Sequence, residues 1–119
     1  MSSYFTLHPA EFRGQTAVLR LTGRLDAESA LTLRQHCAEL REQGQRRLVL
    51  VLSGITFVAS SGVGTLLALT EEFRTAGGCL GLAEISPAVA SVFKLLNLEQ
   101  FLDIHDSLDE ACAAVEVQS

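Results

Sequence analysis

Residues 48 to 66 read Leu48-Val49-Leu50-Val51-Leu52-Ser53-Gly54-Ile55-Thr56-Phe57-Val58-Ala59-Ser60-Ser61-Gly62-Val63-Gly64-Thr65-Leu66 and hold both a strand signal and a helix start. Leu48 to Leu52 is apolar without a break. A strand with one wet face alternates polar and apolar residues, so this run predicts a central strand covered on both sides. After Ser53-Gly54, Ile55 to Val58 leads into Ala59-Ser60-Ser61-Gly62-Val63-Gly64. Val63, Leu66, Leu67, Thr70 and Phe73 then recur at helical spacing until Ala76-Gly77-Gly78 ends the helix.

Working outward, the same alternation of strand and helix signals fills the chain. Phe5 and Leu7 alternate with Tyr4, Thr6 and His8; Glu11 to Gln15 is expected to turn through Gly14; Ala17, Leu19 and Leu21 line one face of a second strand. Asp26 is placed to cap a helix from Ala27 to about Gln43, with Ala30, Leu33, Cys37 and Leu40 buried and Gly44 as the stop. Downstream, Cys79 to Ala83 is a short strand. Ser86-Pro87 starts a helix with Val89, Val92, Phe93 and Leu96 inward, and Phe101 to Ile104 is a fifth strand. Ser107-Leu108-Asp109-Glu110 has the pattern of a capping box, followed by an apolar stripe of Leu108, Ala111, Cys112 and Val115. The expected fold is a single α/β domain over residues 1 to 119, a mixed but mostly parallel sheet of about five strands with about four helices.

The chain has 119 residues, 48% of them hydrophobic and 19% charged. That is enough to build a core without disulfides or a structural metal, and it excludes disorder as the main description. The net charge of -5 has the wrong sign for a nucleic-acid binder. Residues 1 to 47 carry seven basic and five acidic side chains, whereas residues 48 to 119 carry two and nine. The acidic C-terminal part is either a surface for a basic partner or a source of solubility. No apolar run is long enough to span a bilayer, and Met1-Ser2-Ser3-Tyr4 has no leader pattern, so a cytoplasmic protein without membrane insertion is expected. Cys37, Cys79 and Cys112 are read as reduced core thiols. These cysteines and His8, His36 and His105 show no metal-ligand spacing, so no metal, cofactor or catalytic residue is expected.

The junction at residues 57 to 66 places two hydroxyls and two glycines where a strand passes into a helix N-terminus, a position rich in free amides. One reading makes Ser60 or Ser61 the N-cap, with the glycines serving close packing. A nucleotide loop fits poorly, because the third glycine of G-x-G-x-x-G would fall on Leu67 and no G-K-[ST] is present. A serine nucleophile also fits poorly, since neither Val58 nor Ala59 supplies the first glycine of G-x-S-x-G.

Taken in order, Gly23 to Asp26 (G-x-L-D), the strand Leu48 to Leu52, the segment Phe57 to Gly64 and Ile85-Ser86-Pro87 resemble a STAS domain along nearly the whole chain. Without a membrane segment, the chain is similar to the free-standing anti-sigma factor antagonists. The resemblance implies a partner-binding protein and not an enzyme. Its partner would be an anti-sigma factor that is itself a GHKL-type serine kinase, opposed by a serine/threonine phosphatase. The family motif D-S-S-G-[LIV]-G aligns its phosphorylated serine with Ser60 and implies a partner-binding surface at Asp26, Ala59, Ser60, Ser61, Gly62 and Val63. Ala59 stands where the family has an acid. The alternative implied by that departure is a STAS scaffold or transport-associated subunit that is not phosphorylated and binds its partner constitutively.

Overall fold

The apolar run at Leu48 to Leu52 lies in the middle of the sheet. In the computed structural model, which describes residues 4–118, it belongs to β4 (Arg47–Val58), flanked in parallel by β3 (Thr16–Leu25) and β5 (Cys79–Ala83). The expected domain limits at residues 1 and 119 fall outside the described residues. None of the residues from Leu48 to Leu52 is more than 2% exposed. Their side chains leave both faces of the sheet, so both faces must be covered.

The described strands run in the order β1-β3-β4-β5-β6, with β1 (Phe5–Leu7) antiparallel to β3 and β6 (Ile104–His105) parallel to β5. One face is covered by α1 (Ala27–Glu42), α2 (Ser60–Thr75) and α3 (Pro87–Leu95). Leu33 and Cys37 of α1, Leu66 and Phe73 of α2, and Phe93 of α3 pack there on Leu19, Leu21, Leu25, Leu48, Leu50 and Leu52. The other face is covered by α4 (Leu108–Gln118), whose Leu108, Ala111, Cys112 and Val115 meet Val18, Val49, Val51 and Ala83. All three cysteines are buried and none is in a disulfide, and burial pushes the Cys37 thiol up to about 12. At neutral pH that thiol is a small apolar filler.

β3 and β4 slip twice as they approach their C-terminal ends. β4 carries an extra residue between the pairs Arg20↔Val51 and Thr22↔Gly54, and again between Gly23↔Ile55 and Arg24↔Phe57. Such bulges twist a strand and re-aim its downstream side chains. Gly54 occupies the first bulge, where a Cβ would stand 2.5 Å from the Thr22 methyl group. The strand ends then carry the starts of α1 and α2.

Three expectations from the sequence are corrected. Glu11 to Arg13 is not a turn but a further strand, β2, paired antiparallel with Thr16 to Val18 around Gly14 and Gln15. All three of its side chains are exposed, so it had no buried face to reveal it. Leu96 is half exposed and not inward, because Asn97 takes a left-handed φ of 57° and closes α3. The Leu98 N–H then donates to the Phe93 carbonyl and the Asn97 N–H to that of Lys94, and Leu98 becomes the buried residue. The strand expected over Phe101 to Ile104 shrinks to Ile104–His105, with Phe101 exposed at its approach.

Candidate partner-binding site

The site forms where β3 and β4 end side by side. Leu25 and Val58 are register partners, and the Ala59 N–H donates to the Leu25 carbonyl at 2.9 Å. One residue further on each strand, the chain enters α1 after Asp26 and α2 after Ala59. Asp26 and the Ala59-Ser60-Ser61 segment, far apart in sequence, thus emerge from adjacent strand ends.

Asp26 is the cap of α1, as its position predicts. Its Oδ1 accepts from the Ser29 N–H at 3.2 Å, and the Ser29 Oγ accepts from the Asp26 N–H at 2.8 Å. The Ser29 hydroxyl also donates to the Arg24 carbonyl at 2.7 Å, tying the cap to the end of β3. Ser29 does not stand out in the sequence, although an Asp with a hydroxyl three residues later is a variant of the capping box.

α2 begins differently. Its N-cap is Ala59, in extended backbone with φ -89° and ψ 168°, and it provides no side-chain cap. This corrects the reading of Ser60 or Ser61 as the cap: both lie inside the first turn and both are exposed. Among the described residues neither hydroxyl has a hydrogen-bond partner. A helix start without a side-chain acceptor leaves its first N–H groups to water or to an incoming group, and the dipole there favours negative charge.

The next two residues face inward. A Cβ on Gly62 would stand 2.6 Å from the Leu25 carbonyl oxygen and 2.9 Å from the Leu25 Cγ, so only glycine lets α2 start against the end of β3. Val63 is 7% exposed and Leu66 fully buried. Of the residues implied as partner-binding, Ser60 and Ser61 are exposed, Asp26 and Ala59 are half-buried, and Gly62 and Val63 lie beneath that surface. Gly64 is exposed, and a Cβ on it would meet nothing within 4 Å.

Ser86 caps α3, as Ser86-Pro87 predicts, while two further contacts escape the sequence reading, its bond to Ile55 and the Arg24–Phe57 stack. The buried Ser86 hydroxyl donates to the Ile55 carbonyl at 2.6 Å and accepts from the Val89 N–H at 3.3 Å, so the cap of α3 also fastens β4 just before the site. Arg24 lies over the Phe57 ring with its guanidinium carbon 4.0 Å from the centroid. Both residues fall within the G-x-L-D and Phe57 to Gly64 motifs, but their contact depends on the β3–β4 register, which sequence does not display. Among the described residues no group of three or more His, Cys, Asp or Glu side chains could hold a metal ion, and no helix is long and apolar enough to cross a membrane.

With this geometry in place, comparison with known proteins gives a consistent picture. Residues 9–111 match the STAS domain. The anti-sigma F factor antagonist of Lysinibacillus sphaericus is 32% identical over 85 residues, covering 71% of this chain and 73% of that protein. An anti-sigma factor antagonist from Mycobacterium paratuberculosis has a similar structure, with a TM-score of 0.83 at 25% identity over 95% of either chain. The anti-sigma factor antagonist SpoIIAA in its unphosphorylated form gives 0.74 at 27% identity, covering 96% of this chain and 97% of its own. As the Bacillus cell fate determinant in phosphorylated form it gives 0.68 at 26%, covering 94% and 99%. The mixed sheet with its four helices is the fold of these neighbours.

Proposed function

The chain belongs to the STAS domain family, and from that premise we propose that it is an anti-sigma factor antagonist that binds a GHKL-type anti-sigma factor kinase and is switched by phosphorylation of Ser60. The observation that carries this reading is the placement of Ser60: exposed, with a free hydroxyl, in the first turn of a helix whose cap residue has no side-chain acceptor. The names of the relatives support the antagonist role, and the two forms of SpoIIAA support a phosphorylation switch in that protein.

A phosphoryl group on Ser60 adds about -1.5 to -2 charge. The start of α2 stabilises such a group by roughly 0.3 to 2 kcal/mol, so the fold accepts it. Release of the partner therefore arises at the interface, where the phosphate must be desolvated or meets like charge. A penalty of about 2.8 kcal/mol weakens binding a hundredfold, within reach of one phosphate. Ser60 acts as an address and not as a nucleophile in catalysis, and a serine/threonine phosphatase resets it. Ala59 favours a second reading, constitutive binding by a STAS scaffold or transport-associated subunit, because the acid beside the phosphorylated serine of the family motif is missing here.

Affinity capture from host cytosol with and without ATP, combined with intact-mass measurement, separates the two. The switch predicts a GHKL-type partner, a gain of about 80 Da for one phosphoryl group that disappears in Ser60→Ala, and loss of the partner in Ser60→Asp. Equal partner binding by wild type and Ser60→Asp rejects the charge mechanism. A stable partner with no added mass under any condition selects the constitutive reading.

A further inference from the structure

The sheet face under α4 is covered only in part. Along β3, Val18 is buried beneath α4, Arg20 and Thr22 are half-buried, and Arg24 is exposed. Arg24 and Phe57 are direct register partners, so they share this face, and the guanidinium is stacked on the ring. On the other side the Arg24 N–H donates to the Tyr4 carbonyl at 2.7 Å, one residue beyond the Phe5↔Gly23 pair, so Tyr4 continues the row. Tyr4 is 67% exposed and Phe57 39%. The row crosses three adjacent chain segments and ends two residues before Asp26 and Ala59, close in the chain to the surface around Ser60.

Arg24 stands outside the ion pairs that hold most of the arginines, as does Arg46, whose Nη1 donates instead to the Ala76 carbonyl. Arg13 is held by Asp109, Arg20 by Glu11, Arg34 and Arg41 by Glu72, and Arg74 by Glu71. Arg24 has no carboxylate partner among the described residues, and the carboxylate closest in sequence, Asp26, is engaged with Ser29. Exposed tyrosine and arginine side chains beside an aromatic ring have the composition of interface centres.

We propose that the Arg24–Phe57 stack anchors an acidic side chain of the anti-sigma factor, an inference that rests on the function proposed for the Ser60 surface and specifies the chemistry of its partner. The ring fixes the plane of the guanidinium and leaves its donor edge open, the arrangement that accepts a carboxylate bidentately. Apolar atoms next to that carboxylate pack on Phe57 and Tyr4. The whole chain carries a net charge of -5, so an acidic contact finds attraction at Arg24 and repulsion over the acidic surface contributed by residues 48 to 119. Arg24 thereby sets the register in which the partner meets Ser60.

The test titrates wild type, Arg24→Gln, Arg24→Glu and Phe57→Leu against each purified GHKL-type anti-sigma factor of the host, at two salt concentrations. Arg24 is exposed, and circular dichroism and melting curves check that each variant folds. The expected result is a loss of roughly tenfold or more in Arg24→Gln, a larger loss in Arg24→Glu and a flatter salt dependence in both. Restoration of Arg24→Glu binding by an acid-to-lysine change in the partner identifies the carboxylate. Affinities of Arg24→Gln and Arg24→Glu within threefold of wild type, while Ser60→Asp abolishes binding, overturn the anchor and leave the Ser60 reading standing. Tighter binding by Arg24→Glu shows a basic contact and also overturns it. Failure of the wild type to bind any such factor removes the proposed function and this inference with it.

Discussion

Replacing Gly62 and Gly64 by alanine, one at a time, applies the same chemical change twice in α2 and is expected to move stability in opposite directions. At Gly62 the new methyl group would stand 2.6 Å from a backbone oxygen of β3 and 3.0 Å from a methyl of Val58, both held by the parallel pairing of Leu25 with Val58. A backbone atom in a sheet cannot swing aside, so α2 must back away. Overpacking of this kind costs about 1 to 3 kcal/mol, from which the better helix propensity of alanine removes at most about 1 kcal/mol. The net expectation is a loss of about 1 to 2 kcal/mol. At Gly64 the methyl meets nothing within 4 Å, so only the propensity gain of about 0.5 to 1 kcal/mol remains. For a chain of 119 residues, 1 kcal/mol corresponds to roughly 4 °C in Tm. Urea unfolding monitored by far-UV circular dichroism reads both variants, with unchanged m-values required for the comparison. Gly62→Ala as stable as wild type, or more so, refutes the close seating of α2 on the end of β3, and with it the geometry that turns Ser60 outward.

Contacts around the same strand ends set three further outcomes. Asp26→Asn keeps an acceptor for the Ser29 N–H and leaves thermal stability within about 0.5 kcal/mol, whereas Asp26→Ala loses about 1 kcal/mol; equal melting temperatures for the two would remove Asp26 from the cap. Unchanged partner binding in Asp26→Asn would remove its charge from the interface. Ser86→Ala strands the Ile55 carbonyl and uncaps α3, with an expected loss of about 1 to 3 kcal/mol in chemical denaturation, and a loss below about 0.5 kcal/mol would contradict the buried bond. The Cys37 thiol, raised from 9.0 to about 12 by burial, stays protonated in the folded chain while the unfolded chain ionises it. Its contribution to stability is complete below pH 9 and drains between pH 9 and 12, by an amount on the order of 4 kcal/mol at most. Stability measured across that window should fall less steeply in Cys37→Ala, and identical slopes would show that the thiol is not buried as described.

Sequence revealed most where one physical requirement dominates a residue. Leu48 to Leu52 had to be central because no half-solvated strand tolerates leucine and valine on both faces, and Gly44 and Gly77 had to stop helices because each comes after the last inward residue. β2 was invisible for the opposite reason: Glu11, Phe12 and Arg13 bury nothing, and their strand exists only through backbone pairing with β3. Leu96 misled because helical periodicity extrapolates past the point where Asn97 ends the helix. At the site, the motif located Ser60, but which residue capped α2 depended on where helical backbone begins, and in the fold it begins at Ser60, with Gly62 seated against Leu25. The Arg24–Phe57 contact was the least legible, since two bulges shift the β3–β4 register before it forms.

This helix start has a functional side. Had Ser60 been the cap, its hydroxyl would have been bound to the helix, and phosphorylation would have exchanged a stabilising contact for a charge. With Ala59 as the cap, the hydroxyl is free and the start of α2 has no acidic side chain in its first turn. In the proposed switch, a phosphate there would add stability to the isolated chain while subtracting it from the complex. The two effects have opposite signs and separate readouts, Tm for the first and Kd for the second. By linkage, a partner that prefers the unmodified form a hundredfold also makes phosphorylation of the bound chain less favourable by the same ~2.8 kcal/mol. If the partner is itself the kinase, as proposed, it would have to obtain that free energy from ATP in the bound state, and the phosphorylated chain would then leave because the contact it made had become unfavourable. Parallel changes of Tm and affinity in Ser60→Asp, both falling, would place the effect in the fold and not in the interface.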